Sequence, residues 1–215
     1  MTRKQMKDEV IRWLGLQDIT DWDETAMIDD KLYQGTLDLL SRTRCTVRCV
    51  NLHVNANVSQ YTLDHAVLSL VDVENGARPR TRRDDTTGPS FTLIRSDVLV
   101  IKPTPAVNGT VQVWAVMRPV QMTADTDSPA DEAHGAIPDE FHDAIVTYAL
   151  WKLADYADDS SANQGERYRM LYEGQDGRGG RLTQIKVMVN KRGTATLPRR
   201  KITLAAPAPQ GYWTG

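Results

Sequence analysis

Residues 137–172, IPDEFHDAIVTYALWKLADYADDSSANQGERYRMLY, decide the fold of this chain. Pro138 presets the backbone for a first helical turn, and the two carboxylates behind it favour the positive end of the helix dipole. Apolar residues then recur at helical spacing until turn-prone polar residues gather at 158–161. A second helix is predicted over 162–173, and a glycine follows it. The stretch therefore predicts a helical hairpin with more apolar surface than one hairpin can bury alone.

Two more helices are predicted at the start of the chain. Thr2 is suited to cap a helix whose apolar residues recur at helical spacing as far as Leu14, where a glycine follows. Acidic residues around Trp22 signal a second helix start, and an apolar face then continues to about Arg42. We interpret Trp13 and Trp22 as core residues of these helices.

The spacing of apolar residues becomes alternating in the middle of the chain. From Val50 to Val58 every second residue is apolar, which predicts a strand whose even-numbered positions face a core. Further strands are predicted at 67–73, 91–95, 97–101 and 111–117. A loop rich in Gly, Pro and Arg is predicted at 75–90. Short strands grouped between pairs of helices favour an antiparallel layer of their own.

We therefore predict an α+β fold with three parts. These are a helical bundle of two N-terminal and two C-terminal helices, an inserted antiparallel β-sandwich or small barrel, and an extended C-terminal tail. The predicted boundaries are a helical core at 1–44 and 137–176, a β insertion domain at 45–120, a polar linker at 121–136 and a basic tail at 177–215. Glycines between 174 and 180 follow a helix rather than a strand, and we interpret them as a hinge.

Charge is distributed unevenly along the chain. Residues 177–215 contain eight Lys or Arg and no acid, so they carry +8. Residues 1–176 contain the other 18 basic and all 28 acidic residues, so they carry −10. A basic tail on an acidic body suggests that the tail has a partner.

Composition and cysteine spacing indicate an ordered, soluble protein with free thiols. Apolar residues make up 40% of the chain and charged residues 25%. Cys45 and Cys49 lack the further ligands of a zinc site, and four residues apart on a strand they are too distant for a disulfide. No apolar run approaches the length of a membrane span, and no apolar region follows the basic N-terminus as in a secretory signal.

The tail is predicted to lie extended on its partner. Prolines at 198, 207 and 209 break any long helix, and the segment has too little apolar surface to fold alone. Ile202 and Leu204 alternate with Thr203, as in a strand added to a neighbour's sheet. The candidate contacts are basic residues for an acidic surface and apolar ones for a sheet edge or pocket: Lys191, Arg192, Arg199, Arg200, Lys201, Ile202, Leu204, Tyr212 and Trp213.

Signals for a catalytic, cofactor or metal site are weak, and we predict none. The four histidines form no His-Glu-x-x-His pattern. His142 fits a polar residue at a helix start better than a catalytic base. Acidic residues at 155–159 fit a solvated helix end better than a calcium loop. Arginines at 78, 80, 82 and 83 fit a solvated tip or a subunit contact better than a phosphate site.

Three groups of residues, taken in order, carry a resemblance to a known family. The first is the acidic tryptophan turn at 21–24 with the helix after it. The second is a β region with a Pro-rich turn at 101–105, a strand at 110–115 and Arg-Pro at 118–119. The third is the closing hairpin at 137–172. In this order they resemble the head–tail adaptor proteins of tailed bacteriophages, also called head-completion or connector proteins, in a form with a β-domain insertion.

The resemblance implies a structural virion protein and not an enzyme. Copies would form a ring, commonly of twelve, below the portal in the neck between capsid and tail. The implied partners are the portal protein and tail or neck proteins such as a tail terminator, stopper or nozzle. Genomic DNA would pass through the ring without specific binding, and assembly would occur in the host cytoplasm without a membrane. In this family the C-terminal segment commonly runs along or into the portal.

A ring subunit needs lateral faces that a monomer leaves exposed, and the closing hairpin supplies candidates. We predict inter-subunit contacts through Phe141, Ile145, Tyr148, Trp151, Tyr168 and Tyr172. An acidic body would suit a channel through which DNA slides, since carboxylates repel phosphates. Two alternatives stay open: another neck or tail-completion ring protein, and a DNA-binding module that uses the basic tail.

Overall fold

A computed structural model describes residues 1–15, 22–63, 66–75, 78–80, 90–154, 162–175 and 178–196. The chain divides into two compact units. The helical unit comprises Met1–Thr46 and Pro119–Pro198, and the β unit contains Val47–Arg118. Helices and the larger antiparallel sheets are thus segregated along the chain, which makes the fold α+β, as predicted.

The described residues form five α-helices and nine strands. The helices are α1 (Arg3–Leu14), α2 (Trp22–Thr43), α3 (His142–Ala154), α4 (Ala162–Glu173) and α5 (Arg181–Thr196). The strands are β1 (Arg48–Val54), β2 (Gln60–Thr62), β3 (Val67–Asn75), β4 (Arg78–Arg80), β5 (Ser90–Arg95), β6 (Val98–Lys102), β7 (Gly109–Met117), β8 (Gly174–Gln175) and β9 (Arg178–Gly179). Short 3₁₀ turns at Glu132–His134 and Asp139–Phe141 precede α3. Four of the helices match the predicted ones, and α5 does not.

The ends of α1 follow the sequence signals closely. The Thr2 hydroxyl accepts a hydrogen bond from the Gln5 backbone N–H at 3.3 Å, and the Gln5 side-chain oxygen accepts one from the Thr2 N–H at 2.8 Å. These two bonds form a capping box that satisfies donors at the helix start. Gly15 ends the helix with a φ of 68°, in the left-handed region that glycine tolerates.

Trp13 corrects one expectation about α1. Met6 and Val10 on the same face are fully buried, but Trp13 is 56% exposed, so its interpretation as a core residue is wrong. Helical spacing identifies the face on which a residue lies, and it does not tell how far along the helix the core extends. The side chain of Trp22 lies outside the described part of the chain.

An ion-pair network joins α1 to α2. The Arg3 guanidinium contacts both oxygens of Asp29, at 3.0 and 2.6 Å, in a bidentate pair. Lys7 contacts the same carboxylate at 3.3 Å. Only 13 to 14% of each of these three side chains is exposed, so the two cations compensate a largely desolvated carboxylate.

Residues 121–136 were expected to form a polar linker and are instead a folded part of the helical unit. The Asp127 carboxylate accepts hydrogen bonds from the backbone N–H groups of Ala124 and Thr123, both at 2.8 Å, which lower the pKa of Asp127. The Arg3 backbone N–H donates to the Asp127 carbonyl at 2.6 Å, so the segment is tied to the start of α1. Met122 is buried.

Helix α5 corrects the expectation of an extended tail from residue 177. Leu182 and Ile185 are only 2% and 3% exposed and lie three residues apart, which places both on one buried helical face. This helix contacts α2 and α4. The first proline of the tail is at 198, beyond the end of α5, so the prolines do not oppose this helix. Residues 197–215 lie outside the described chain.

The glycines between α4 and α5 form a tight connection where a hinge was expected. Gly174 pairs with Gly179, and Gln175 pairs with Arg178, in the short β8–β9 ladder. Gly174 has a φ of 100°, which disfavours any residue with a side chain. A Cβ atom at Gly180 would lie 2.3 Å from the Gly174 nitrogen, so only glycine fits there. The glycines therefore fix the turn between the two helices.

The described residues of the β unit form two antiparallel sheets with one shared core. Strand order is β1-β7-β3-β4 in the first sheet and β2-β6-β5 in the second. One buried cluster takes residues from both sheets, including Val54 and Val113 from the first and Phe91 and Ile101 from the second. The alternation that predicts the strands therefore selects the side chains that fill this core.

Strand β1 confirms the predicted alternation for part of its length. Val50 and Leu52 are partly buried and Val54 is 2% exposed, while the residues between them face outward. The strand ends at Val54, and Asn57 turns the chain with a φ of 64°. Val58 is 38% exposed, so the predicted run to Val58 is wrong at its end. Strand β4 lies inside the predicted 75–90 loop, and residues 81–89 are outside the described chain.

Candidate interaction surfaces

A glycine brings α2 and α3 into close contact. A Cβ atom at Gly35 would lie 3.1 Å from the Tyr148 ring and 3.2 Å from the Ile145 carbonyl oxygen. A side chain at position 35 would therefore push the two helices apart. Helix propensity alone predicts that Gly35 lowers the stability of α2. In the structure, its missing side chain allows α2 and α3 to pack closely.

Three aromatic residues join α3 to α4. Tyr148 packs edge-on against Trp151 and Tyr172, with ring centroids 5.6 and 5.4 Å apart. The Lys152 ammonium lies 3.4 Å from the centre of the Trp151 ring, a cation–π contact. These rings therefore pack against one another within a single chain.

A polar network ties this cluster to α2. The Tyr172 hydroxyl donates a hydrogen bond to the Asp38 carboxylate at 2.7 Å. Burial, together with this bond and the negative charge of Asp38, raises the pKa of Tyr172 far above its ordinary value. Arg42 contacts Glu173 at 2.9 Å and Asp38 at 3.6 Å. Helices α2 and α4 are therefore joined by a charged, hydrogen-bonded contact.

This packing decides which predicted inter-subunit residues can meet another subunit. Phe141, Ile145 and Tyr172 are at most 1% exposed and belong to the core of the helical unit. The expectation of an inter-subunit role is therefore corrected for these three. Tyr148, Trp151 and Tyr168 are partly exposed, and their role stays a prediction.

His142 lies at the start of α3 as predicted, but it is fully buried. Its Nε2–H donates to the Ile137 carbonyl at 3.0 Å, and Nδ1 accepts from the Met1 ammonium at 2.8 Å. Burial and the nearby ammonium lower the pKa of His142, so the neutral ring is favoured. With both ring nitrogens occupied by hydrogen bonds to the protein, His142 is a structural residue of the helical unit.

An open groove runs between α4 and α5, and sequence reasoning missed it. Its volume is about 630 Å³, and its lining includes Arg167, Met170 and Leu171 of α4 and Arg181 and Gln184 of α5. We call it the α4–α5 groove. The signal in the sequence is a set of residues three and four apart on each helix, at 167, 170 and 171 and again at 184, 187 and 188.

The predicted tail contacts fall mostly outside the described chain. Lys191 is exposed on α5, and Arg192 belongs to the same helix. The other seven residues lie in 197–215, so their proposed contacts stay predictions.

The described residues contain no group of three or more His, Cys, Asp or Glu side chains arranged to hold a metal ion. In the same part of the chain, no helix is long and apolar enough to cross a membrane. Cys45 and Cys49 are thiols that take no part in a disulfide.

Comparison with known families gives these surfaces a context. The chain matches the family model of the SU10 adaptor protein over residues 1–196, a range that includes every described helix and strand. No curated protein matches the chain. The chain therefore belongs to the SU10 adaptor protein family, a family of phage head–tail adaptors, which confirms the resemblance drawn from its motifs.

Proposed function

We propose that this phage structural adaptor forms a ring of twelve copies below the portal, in the neck of the virion. The ring extends the DNA channel and joins capsid to tail. The observation that carries the proposal is the family match over residues 1–196, which includes both units. The net charge of −10 on residues 1–176 supports a channel through which DNA moves without specific binding.

Each part of the chain has a proposed partner. The helical unit forms the ring, with Tyr148, Trp151 and Tyr168 among its lateral contacts. The β unit is an insertion whose two sheets form a sandwich and which meets tail or neck proteins such as a tail terminator, stopper or nozzle. The tail, residues 197–215, lies on the portal, where its basic residues meet acidic ones and Tyr212 and Trp213 occupy an apolar pocket.

An amber mutation in the gene tests the proposal. Without the suppressor host, we expect DNA-filled or leaking heads and unattached tails in electron micrographs. Supplying the wild-type chain in trans should restore joined particles, and mass spectrometry should find the chain in them. Joined, infectious particles that lack the chain would contradict the proposed function.

A deletion tests the role of the tail separately. Removing residues 197–215 leaves all described helices intact, because α5 ends at Thr196. We expect the truncated protein to fold and to leave heads without tails. Paired substitutions Tyr212→Ala with Trp213→Ala and Arg199→Ala with Arg200→Ala separate the apolar from the ionic contribution. Normal titres from the truncated protein would show that the tail does not hold the joint.

One observation favours the DNA-binding alternative. Helix α5 contains four Lys or Arg and no acid, and Lys186 is exposed on it. A DNA-binding module would lose affinity steeply as salt rises, because bound cations release counterions from the phosphates. Filter binding between 50 and 200 mM salt measures that slope. Weak, salt-insensitive binding would exclude this alternative and leave the adaptor proposal untouched.

A further inference from the structure

Strand β1 is an edge strand without the features that commonly protect a sheet edge. Proteins protect such edges by keeping the strand short, by proline or lysine, or by a bulge. Among the other described edge strands, β2 and β4 are three residues long, β4 contains a proline, and β5 has a register shift between Leu93 and Arg95. Strand β1 is seven residues long, contains neither proline nor lysine, and pairs with β7 without a register shift. It is therefore the described edge best suited to accept another strand.

The backbone of β1 is paired along one side. Among the described residues, those at 50–54 form backbone hydrogen bonds only with β7. The N–H and C=O groups that point away from β7 form a regular row of donors and acceptors. An extended polypeptide provides the matching row, as in strand addition to an open sheet edge. The edge therefore indicates the chemistry of its occupant.

The side chains under this edge are incompletely covered. Val50 and Leu52 lie opposite Val113 and Val111 of β7 and share their face of the sheet. Val113 and Val111 are each 1% exposed, whereas Val50 and Leu52 are only partly buried. The difference follows from position, because β7 has a neighbouring strand on both sides and β1 on one. A strand with apolar residues at alternate positions would cover Val50 and Leu52.

The tail contains a segment with these properties. Eight residues without proline, RRKITLAA, lie between Pro198 and Pro207, and this length matches the seven residues of β1. Ile202 and Leu204 alternate with Thr203, so both fall on one face when the segment is extended. Prolines at 207 and 209 follow, and a proline cannot donate to a strand ladder. Residues 199–206 are therefore the part of the tail suited to pair with β1.

We propose that residues 199–206 of one copy add a strand to the β1 edge of the adjacent copy. The inference rests on the proposed ring and specifies how neighbouring copies are joined. Each copy has one such segment and one such edge, so the contact is heterologous, and repeating it around an axis closes a ring. Residues 207–215 continue from the added strand to the portal.

The alternation of the segment gives each face of the added strand a role. Ile202 and Leu204 lie over Val50 and Leu52 and complete the cover of the core at this edge. Thr203 and its alternate neighbours lie on the opposite face, which in β1 is polar and exposed. Apolar residues thus meet apolar ones, and polar residues meet polar ones, across the new pair of strands.

Cysteine crosslinking in assembled particles tests the contact directly. Cys45 and Cys49 are first replaced by serine, and Asn51→Cys is then combined with Thr203→Cys. Asn51 is exposed on the outward face of β1, the face on which Thr203 of the added strand would lie. A short bismaleimide should give a ladder of covalent oligomers beyond the dimer, and neither single-cysteine variant should. Thr92→Cys, at an exposed residue of edge strand β5, should crosslink far less when combined with Thr203→Cys.

Substitutions inside the segment test whether its apolar face holds the contact. Ile202→Asp would place a carboxylate against the apolar side chains at the edge and should abolish the ladder. Ile202→Val keeps a β-branched apolar side chain, so this matched control should keep the ladder. Residue 202 lies beyond the end of α5, so neither substitution changes a described helix.

Hydrogen exchange gives a readout that is specific for backbone pairing. In the free subunit, amides of residues 50–54 that point away from β7 should exchange rapidly. In assembled particles the same amides should become protected, whereas those bonded to β7 should be protected in both states. Unchanged exchange of the outward amides on assembly would overturn the added strand.

The outcomes separate this inference from the proposed function. If the chain is present in particles by mass spectrometry but the Asn51–Thr203 pair gives no ladder, the contact is wrong and the adaptor role stands. Crosslinks confined to single chains would also overturn it, because they would place the segment on the β1 edge of its own copy. Absence of the wild-type chain from particles would overturn the proposed function itself.

Discussion

The β unit and the helical unit use different means to fix their structure. In the β unit, alternating apolar residues from two sheets fill one core. In the helical unit, polar groups take part in the interior as well: fully buried His142, the Tyr172–Asp38 hydrogen bond and the Arg3–Asp29 ion pair. Polar contacts of this kind require a particular geometry, whereas apolar packing tolerates many arrangements. The comparison teaches that the sheet core follows mainly from alternating apolar residues, while the helical unit adds individual polar bonds to its apolar packing.

The largest expected effect comes from the only two phenylalanines, one in each core. Phe91 in the β unit and Phe141 in the helical unit are both 1% exposed. Replacing either by alanine should cost about 3 to 5 kcal/mol of unfolding free energy, through lost burial and the cavity left behind. Hydrogen exchange read by mass spectrometry should show faster exchange mainly in the unit that contains the substitution. Ile94→Ala, at a 63% exposed side chain, is the control. Equally faster hydrogen exchange in both units would contradict the expectation that each core stabilises mainly its own unit.

A pair of tyrosines gives a medium effect. The Tyr172 hydroxyl donates to a carboxylate at 2.7 Å, whereas the Tyr61 hydroxyl contacts backbone carbonyls of Asn55 and Val58, at 3.0 and 2.5 Å. Hydrogen bonds to charged groups are the stronger class. Tyr172→Phe should therefore cost about 1.5 to 3 kcal/mol and Tyr61→Phe about 0.5 to 1.5 kcal/mol. Urea denaturation with unchanged m-values measures both, and a larger loss for Tyr61→Phe would reverse the expected order.

The smallest expected effect is a pH dependence of the unfolding free energy that arises from the helical unit. Burial lowers the pKa of His142, so below the ordinary histidine value of about 6.5 the unfolded chain takes up a proton that the native state does not. Unfolding free energy should therefore fall as pH decreases from 7 to 5. His142→Gln should reduce that slope, and His53→Gln, at an exposed histidine of the β unit, should keep it. A wild-type slope that is zero over this window would contradict a buried neutral ring.

Some of these features can be predicted from the sequence and others cannot, for physical reasons. Local signals are sufficient for α1, where Thr2, Gln5 and Gly15 encode both ends. Burial depends on tertiary contacts, so the sequence identifies the helix position of His142 but not its enclosure. Helix α5 is not predicted from the sequence because Thr, Gly and β-branched residues lower its intrinsic helix propensity. Its stability comes from the packing of Leu182 and Ile185. The α4–α5 groove requires two helices to be placed side by side, which no single periodicity reveals.

Strands β1 and β7 have a consequence for how this chain could change over time. They are the first and last strands of the β unit, and they are hydrogen-bonded neighbours, with Arg48 opposite Ala115. The chain thus enters and leaves the unit at adjacent points, about 5 Å apart between paired Cα atoms. Because the two ends of the unit lie side by side, a short loop could replace the unit without moving the points where it joins the rest of the chain. Another fold with adjacent ends could replace it in the same way. Evolution can therefore vary this region while the two strands that connect it to the rest of the chain stay in place.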